Sequence, residues 1–311
     1  MYFENIKGQK FAKKYLSNSI KSNMISHAYM FEGPSGIGKN TMARELAKIL
    51  LEMEHLSNSP DYIEIKPDGN SIKIAQIRKI QSDILVKPYK SYKIYVFDEA
   101  QKMTVEAQNA LLKTLEEPPK YAIIILITNN KEALLDTIKS RCEIIKFTPI
   151  PLRDISNYLI TTGVDEKRAS LLANFSRGSM QKAIELSNSE DFYMMREEIQ
   201  KYVQTFLSGN LIEIMDIQNS IEKYKDQIIN VLDLMINYFR DIMMAKENID
   251  KSMIINLDKL TFIKNMSRKI TYSQLSKIIG IIEDTKDKLR SNCNFNISIQ
   301  VMTLNIYEVI K

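Results

Sequence analysis

In the first half of the chain, short apolar runs alternate with segments whose apolar residues recur three or four positions apart. Ala28 to Glu32 is such a run, and it leads into the glycine-rich stretch GPSGIGKN and the amphipathic segment Thr41 to Met53. The order reads strand, phosphate-type loop, helix. Tyr62 to Lys66 alternates as a strand, Ile74 to Leu85 has helical spacing, and Lys93 to Phe97 is an apolar strand closed by Asp98 and Glu99. Val105 to Glu116 is a helix that Pro118 and Pro119 stop, because proline lacks the amide proton and restricts the residue before it. Ala122 to Thr128 is a further buried strand. Strands alternating with helices predict a parallel sheet covered on both faces, with ligands at the carboxyl ends of the strands.

The pattern changes after Thr148 to Pro151, which has the look of a linker. Leu152 to Leu186 reads as short helices around Gly163 and Gly178, the size of a small lid. From about Phe206 the segments are helical with apolar stripes, such as Ile228, Leu232, Met235, Ile236 and Phe239. That region holds 14 basic and 13 acidic residues, and 14 minus 13 leaves +1. A packing domain fits this better than a DNA-binding tail.

The composition narrows the class. A chain of 311 residues exceeds one average domain and can bury a sizeable core. Lys plus Arg number 43 against 38 acidic residues, a net +5 that permits contact with nucleic acid without demanding it. The start, MYFENIKGQKFAKKY, has no apolar core of signal-peptide length, and no run approaches the ~18 apolar residues of a membrane span. The expectation is a soluble cytoplasmic protein with no membrane partner. Cys142 and Cys293 stand far apart with no companion at ligand spacing, so neither a disulfide framework nor a four-cysteine zinc site is expected. Both read as free thiols.

The chemistry sits in the first half. Gly33, Gly36, Gly38 and Lys39 match the phosphate-binding loop, where glycines let backbone amides turn inward and the lysine reaches outer phosphate oxygens. The bland reading is a structural strand-to-helix turn. Asn40 stands where Ser or Thr normally supplies the hydroxyl that ligates magnesium, and an amide oxygen is a poorer, bulkier replacement. Thr41, one residue on and about 100° around the helix, cannot simply take its place. Asp98 and Glu99 form the pair in which one acid holds the magnesium shell and the next activates water, or else simply acids favoured at a helix start. Loop and acids in this order favour a P-loop ATPase fold. Thr128 and Asn129 end the next strand, where a polar side chain can sense a terminal phosphate. Arg141, in Ser140-Arg-Cys142, is by default a solvated or salt-bridged surface residue.

A resemblance rests on longer stretches. Ser26-His-Ala-Tyr-Met-Phe-Glu-Gly-Pro, the Asp98-Glu99-Ala-Gln run, Asn109-Ala-Leu-Leu-Lys-Thr-Leu-Glu-Glu-Pro-Pro119 and Ser140-Arg-Cys142 resemble the clamp-loader branch of the AAA+ ATPases, strongly through residue 150 and more weakly through Gly178-Ser-Met-Gln-Lys-Ala183. Motor subunits of that branch have an intact Gly-Lys-Thr or Gly-Lys-Ser loop, a four-cysteine zinc module after the first helix, and an arginine in the lid's Gly-Ser-x-Arg motif. Here Asn40 departs from the first, no cysteine lies between Leu50 and Pro60, and Gln181 replaces the arginine. The pattern is similar to the delta-prime subunits of bacterial DNA polymerase III.

The resemblance implies an α/β P-loop AAA+ domain over residues 1–150, a helical lid over 151–205 and an all-α collar for oligomerisation over 206–311. It implies a hetero-oligomeric ring with motor (gamma/tau) and delta subunits, acting on the sliding clamp and primer-template DNA. ATP with magnesium is the ligand such a site takes; Asn40 and Gln181 argue against its turnover, and no zinc is implied. Arg141 is implied as a finger reaching a neighbour's ATP site, where an arginine stabilises charge on the transferring phosphoryl group. Two rivals stay open: a self-sufficient ATPase motor (gamma/tau-like) of the same loader, and a small-molecule kinase, which the Gln108 to Pro119 run and the helical second half do not resemble.

Overall fold

The computed structural model describes residues 2–57, 59–247 and 254–311. The first part runs α1 (Lys10–Lys21), β1 (Ala28–Glu32), α2 (Lys39–Leu51), β2 (Tyr62–Ile65), α3 (Ile74–Asp83), β3 (Lys93–Phe97), α4 (Val105–Glu116), β4 (Ala122–Thr128), α5 (Asp136–Lys139) and β5 (Glu143–Lys146). The strands form one parallel five-stranded sheet in the order β2-β3-β4-β1-β5. Every residue of β3 and β4 is buried, and the pleat sends alternate side chains to opposite faces. Tyr29, Phe31, Val96, Ile125 and Ile127 join Leu16 of α1 and Met42 and Leu46 of α2 on one face. Met30, Tyr95, Phe97, Ile124 and Leu126 join Ile77 and Ile80 of α3 and Leu111 and Leu115 of α4 on the other.

The differences from the pattern-based expectation have plain causes. Helix α2 begins at Lys39 rather than Thr41, because Gly38 in a left-handed conformation (φ 98°) lets the helix start directly from the loop. The stretch from Glu143 shows an apolar character but no clean period; it becomes a strand by pairing beside β1, with Tyr29 opposite Glu143, and of its four residues only Ile145 is buried.

Two compact units emerge, one ending at Glu185 and one from Leu186 to Lys311. The first includes α6 (Leu152–Thr161), α7 (Glu166–Ser176) and most of α8 (Met180–Ser187). Asp165 caps α7 by accepting from the amides of Lys167 and Arg168. Between α7 and α8 the chain turns at Gly178 (φ 86°), whose carbonyl accepts from the Ile150 amide at 2.9 Å.

The second unit is helical: α9 (Glu190–Ser208), α10 (Leu211–Ile221), a 3-10 turn (Glu222–Gln227), α11 (Ile228–Lys246), α12 (Leu260–Ser267), α13 (Tyr272–Arg290) and α14 (Phe295–Ile310). The expected boundary at 205 thus falls inside α9. Helix α11 buries Ile228, Leu232, Met235 and Phe239 of the anticipated stripe, together with Val231, Leu234, Tyr238 and Ile242, and leaves Ile236 partly exposed. A helix apolar on most sides belongs at the centre of a bundle, and α11 packs against α9, α12 and α13. Burial raises the Asp241 carboxyl pKa above its ordinary value, although the Ile255 and Asn256 amides and the Asn256 side chain all donate to it.

Candidate functional site

The sheet order builds the site. Because β4 lies between β1 and β3, the loop after β1 sits beside the residues that end β4, with the acids after β3 next in line. A cavity of about 690 Å³ opens there, and Gly36, Gly38, Lys39, Asn40, Thr41, Asp98, Glu99, Thr128, Asn129 and Gln181 all line it. Gly33 lies behind the lining as a backbone support, and Arg141 is not among the residues around the cavity. Helix α2 starts with no side-chain cap, so its first amides are left for a ligand.

The side chains, however, are engaged with one another. Lys39 is 6% exposed, and its ammonium donates to the Gly33 and Pro34 carbonyls at 2.5 Å each. Burial lowers it to about 8, against the opposing pull of Asp98. Asn40 Nδ2 donates to Asp98 Oδ2 at 3.1 Å, and the Glu99 amide donates to Asp98 Oδ1 at 3.1 Å. Each oxygen of the Asp98 carboxylate thus accepts one hydrogen bond. Glu99 pairs with Lys102 at 2.9 Å. Thr128 Oγ1, almost fully buried, accepts from the Asn130 amide, and Asn129 Nδ2 donates to Ser35 Oγ at 3.2 Å. Thr41 is exposed and also lines a second cavity with Arg44.

The start of α8 lies directly on the loop. The Gln181 amide donates to the Gly36 carbonyl at 3.2 Å, and a Cβ on Gly36 would collide with Ser179 Oγ. The Gln181 side chain turns instead to Glu185, donating to its Oε1 at 2.8 Å. The backbone of the loop and the α2 terminus fit a phosphate group. For its magnesium the set is altered at one place: position 40 offers an amide in place of a hydroxyl, with Nδ2 turned to Asp98.

Sequence reasoning missed two supports. Gln9 is buried, donates to the Ile37 and Thr148 carbonyls at 3.1 and 2.8 Å, and accepts from the Thr148 amide, so it clasps the loop to the linker. A lone glutamine before a helix carries no local signal of this. Ser179 is the other: it stands within the Gly178-Ser-Met-Gln stretch, but its contact with the loop at Gly36 had no signal in the sequence.

Arg141 lies in the turn after α5. Its Nη2 pairs with Glu116 Oε1 at 2.8 Å, and its Nη1 donates to the Thr137 carbonyl at 2.9 Å and to Ser140 Oγ at 3.4 Å. The adjoining Cys142 is partly buried, and burial pushes its thiol up to about 12, well away from reactivity.

Comparison with known proteins places this geometry. Residues 8–151 match a family model described as DNA polymerase III, delta subunit, and residues 190–306 match its C-terminal counterpart. The delta-prime subunit of DNA polymerase III from Bacillus subtilis is 32% identical, over 95% of this chain and 95% of its own length. The chain belongs to the delta-prime family of DNA polymerase III subunits. The gamma subunit from Buchnera aphidicola subsp. Schizaphis graminum is 30% identical over 78% of each chain, so this delta-prime family member also keeps a clear kinship with gamma subunits. The RuvB Holliday junction branch migration motor of Thermotoga maritima covers 94% of this chain and 85% of its own with a TM-score of 0.51 at 15% identity, a likeness of fold. Helices α6, α7 and α8 fall between the two matched segments of the delta-prime family chain.

Proposed function

We propose that this delta-prime-family clamp-loader subunit acts inside a hetero-oligomeric ring with gamma/tau and delta subunits, helping to place the sliding clamp on primer-template DNA, without turning over ATP itself. The observation that carries the second clause is at position 40: where a hydroxyl would ligate magnesium an amide stands, with its Nδ2 donating to Asp98. Lys39 folded onto its own loop and Gln181 turned to Glu185 support the same reading. A nucleotide held here would meet the backbone amides of Gly36 to Asn40 with its phosphates, while the metal needed for phosphoryl transfer would lack the hydroxyl ligand usual at position 40.

In this reading Arg141 serves a neighbouring motor's ATP site. It lies outside the chain's own cavity, is about one-third exposed, and presents the planar fork that suits phosphate oxygens. The rival, an ATP-hydrolysing motor of the gamma/tau kind, is favoured by the kinship with gamma subunits and opposed by Asn40 and Gln181. One experiment separates them: purify the loader with each subunit identified, and measure ATP turnover by the isolated chain, by the wild-type complex and by a complex carrying Arg141→Ala. The expected result is negligible turnover by the isolated chain and slowed hydrolysis with intact assembly for Arg141→Ala, less than the ~10³-fold of a sole finger because only one site of several depends on it. Turnover at motor rates by the isolated chain would support the rival, and wild-type rates for Arg141→Ala in the full complex would remove the finger.

A further inference from the structure

The setting of Arg141 points to a second residue. Helix α4 is anchored to the sheet by Leu111 and Leu115, at 0% and 1% exposure, and ends where Pro118 and Pro119 forbid continuation. Its first turn is tied to the approach of α5 by the buried Gln108, which donates to the Ala133 carbonyl at 3.1 Å and accepts from the Leu135 amide at 2.8 Å. Ile138, fully buried, holds α5 in place. The two helices are therefore fixed, and their far ends are bridged by one ion pair, Glu116 to Arg141.

A long arginine side chain on a turn samples many rotamers unless something holds it. Here three groups do: the Glu116 carboxylate on Nη2, and the Thr137 carbonyl and Ser140 hydroxyl on Nη1. The Nε–H has no hydrogen-bond partner among the described residues. Glu116 is the only one of the three that carries a charge opposite to the guanidinium. Thr137 and Ser140 belong to α5 and to the turn that carries Arg141, whereas Glu116 comes from another helix and ties the guanidinium to the end of α4.

We infer that Glu116 is the positioning residue of Arg141, holding the guanidinium at one orientation with part of its donor fork left for an oxyanion on a neighbouring subunit. The inference rests on the reading of Arg141 as a finger. Its scale follows from an exposed pair: losing the anchor should cost roughly 2- to 5-fold in the population of the held orientation, and so in turnover at the served site.

The test uses the complete loader assembled with its ATP-hydrolysing subunits, comparing wild type, Glu116→Ala, Glu116→Gln, Arg141→Ala and the double variant Glu116→Ala with Arg141→Ala. Glu116→Ala should lower turnover at the served site about 2- to 5-fold, and the kcat of the whole loader by less because only one site of several depends on Arg141, with KM for ATP and assembly unchanged. Glu116→Gln, which keeps an oxygen acceptor, should lose less, and Glu116→Ala should add nothing once Arg141 is alanine. If Arg141→Ala slows the loader and Glu116→Ala does not, the positioning role is overturned while the finger stands. Wild-type turnover for Arg141→Ala overturns the finger and the positioning role together. A further loss from Glu116→Ala in the Arg141→Ala background also overturns the inference, since Glu116 would then act by another route.

Discussion

Replacing Gly178 by alanine should detach the α6–α8 segment from the phosphate loop, and the cost can be worked out from two terms. The first is conformational: at φ 86° an alanine costs about 1–2 kcal/mol relative to glycine. The second is steric. The new Cβ would lie 2.5 Å from Pro149 Cβ, 3.0 Å from Pro149 Cα and 3.1 Å from the Ile150 nitrogen, where ordinary contacts fall near ~3.5–4 Å. Two of these three atoms are backbone, so relief requires moving the linker, at a cost of about 1–3 kcal/mol. The sum is about 2–5 kcal/mol. It would be felt at the Ile150 amide to Gly178 carbonyl bond and then at the Gln181 amide to Gly36 carbonyl bond beyond it. Gly163 supplies the control: it has φ 93°, but a Cβ added there would meet nothing within 4 Å, so its alanine variant carries only the conformational term. Urea unfolding that follows the first unit should therefore place Gly178→Ala below Gly163→Ala by about 1–3 kcal/mol. Equal losses for the two variants would refute the claim that Pro149 and Ile150 close off the space beside Gly178.

Two further outcomes are expected. The Lys39 ammonium falls to about 8 in the fold, so the unfolded chain binds the extra proton between that value and its ordinary 10.5, and stability should rise with pH across this window relative to Lys39→Met, by on the order of 1–3 kcal/mol in denaturant titrations; parallel pH profiles for the two proteins would contradict the burial of the charge. A chain ending at Asn188, which keeps α8 whole and omits the second compact unit, should retain the folded sheet by circular dichroism yet fail to enter the loader, and entry with full affinity would argue against assembly through residues beyond Glu190.

The readable parts of this protein are those whose physics is local. Strands β3 and β4 and helix α4 lie where the apolar runs and the proline stop put them, because a strand buried on both faces is apolar throughout and a proline pair ends a helix wherever it occurs. The phosphate loop and the acid pair are likewise contiguous motifs, and the run from Asn109 to Pro119 by itself points to the clamp-loader branch. Strand β5 was harder, since only one of its four residues is buried and its identity comes from hydrogen bonds to β1. What the side chains of the site do with one another was decided by tertiary structure alone. Asn40 and Asp98 are 58 residues apart, and they meet because the sheet order sets the ends of β1 and β3 on either side of β4. Glu116 and Arg141 meet because α4 and α5 are each clamped to the same sheet face, a relation that no periodicity along the chain encodes. A residue type sets what a group can bond, but a network of partners depends on distances that only the folded chain defines.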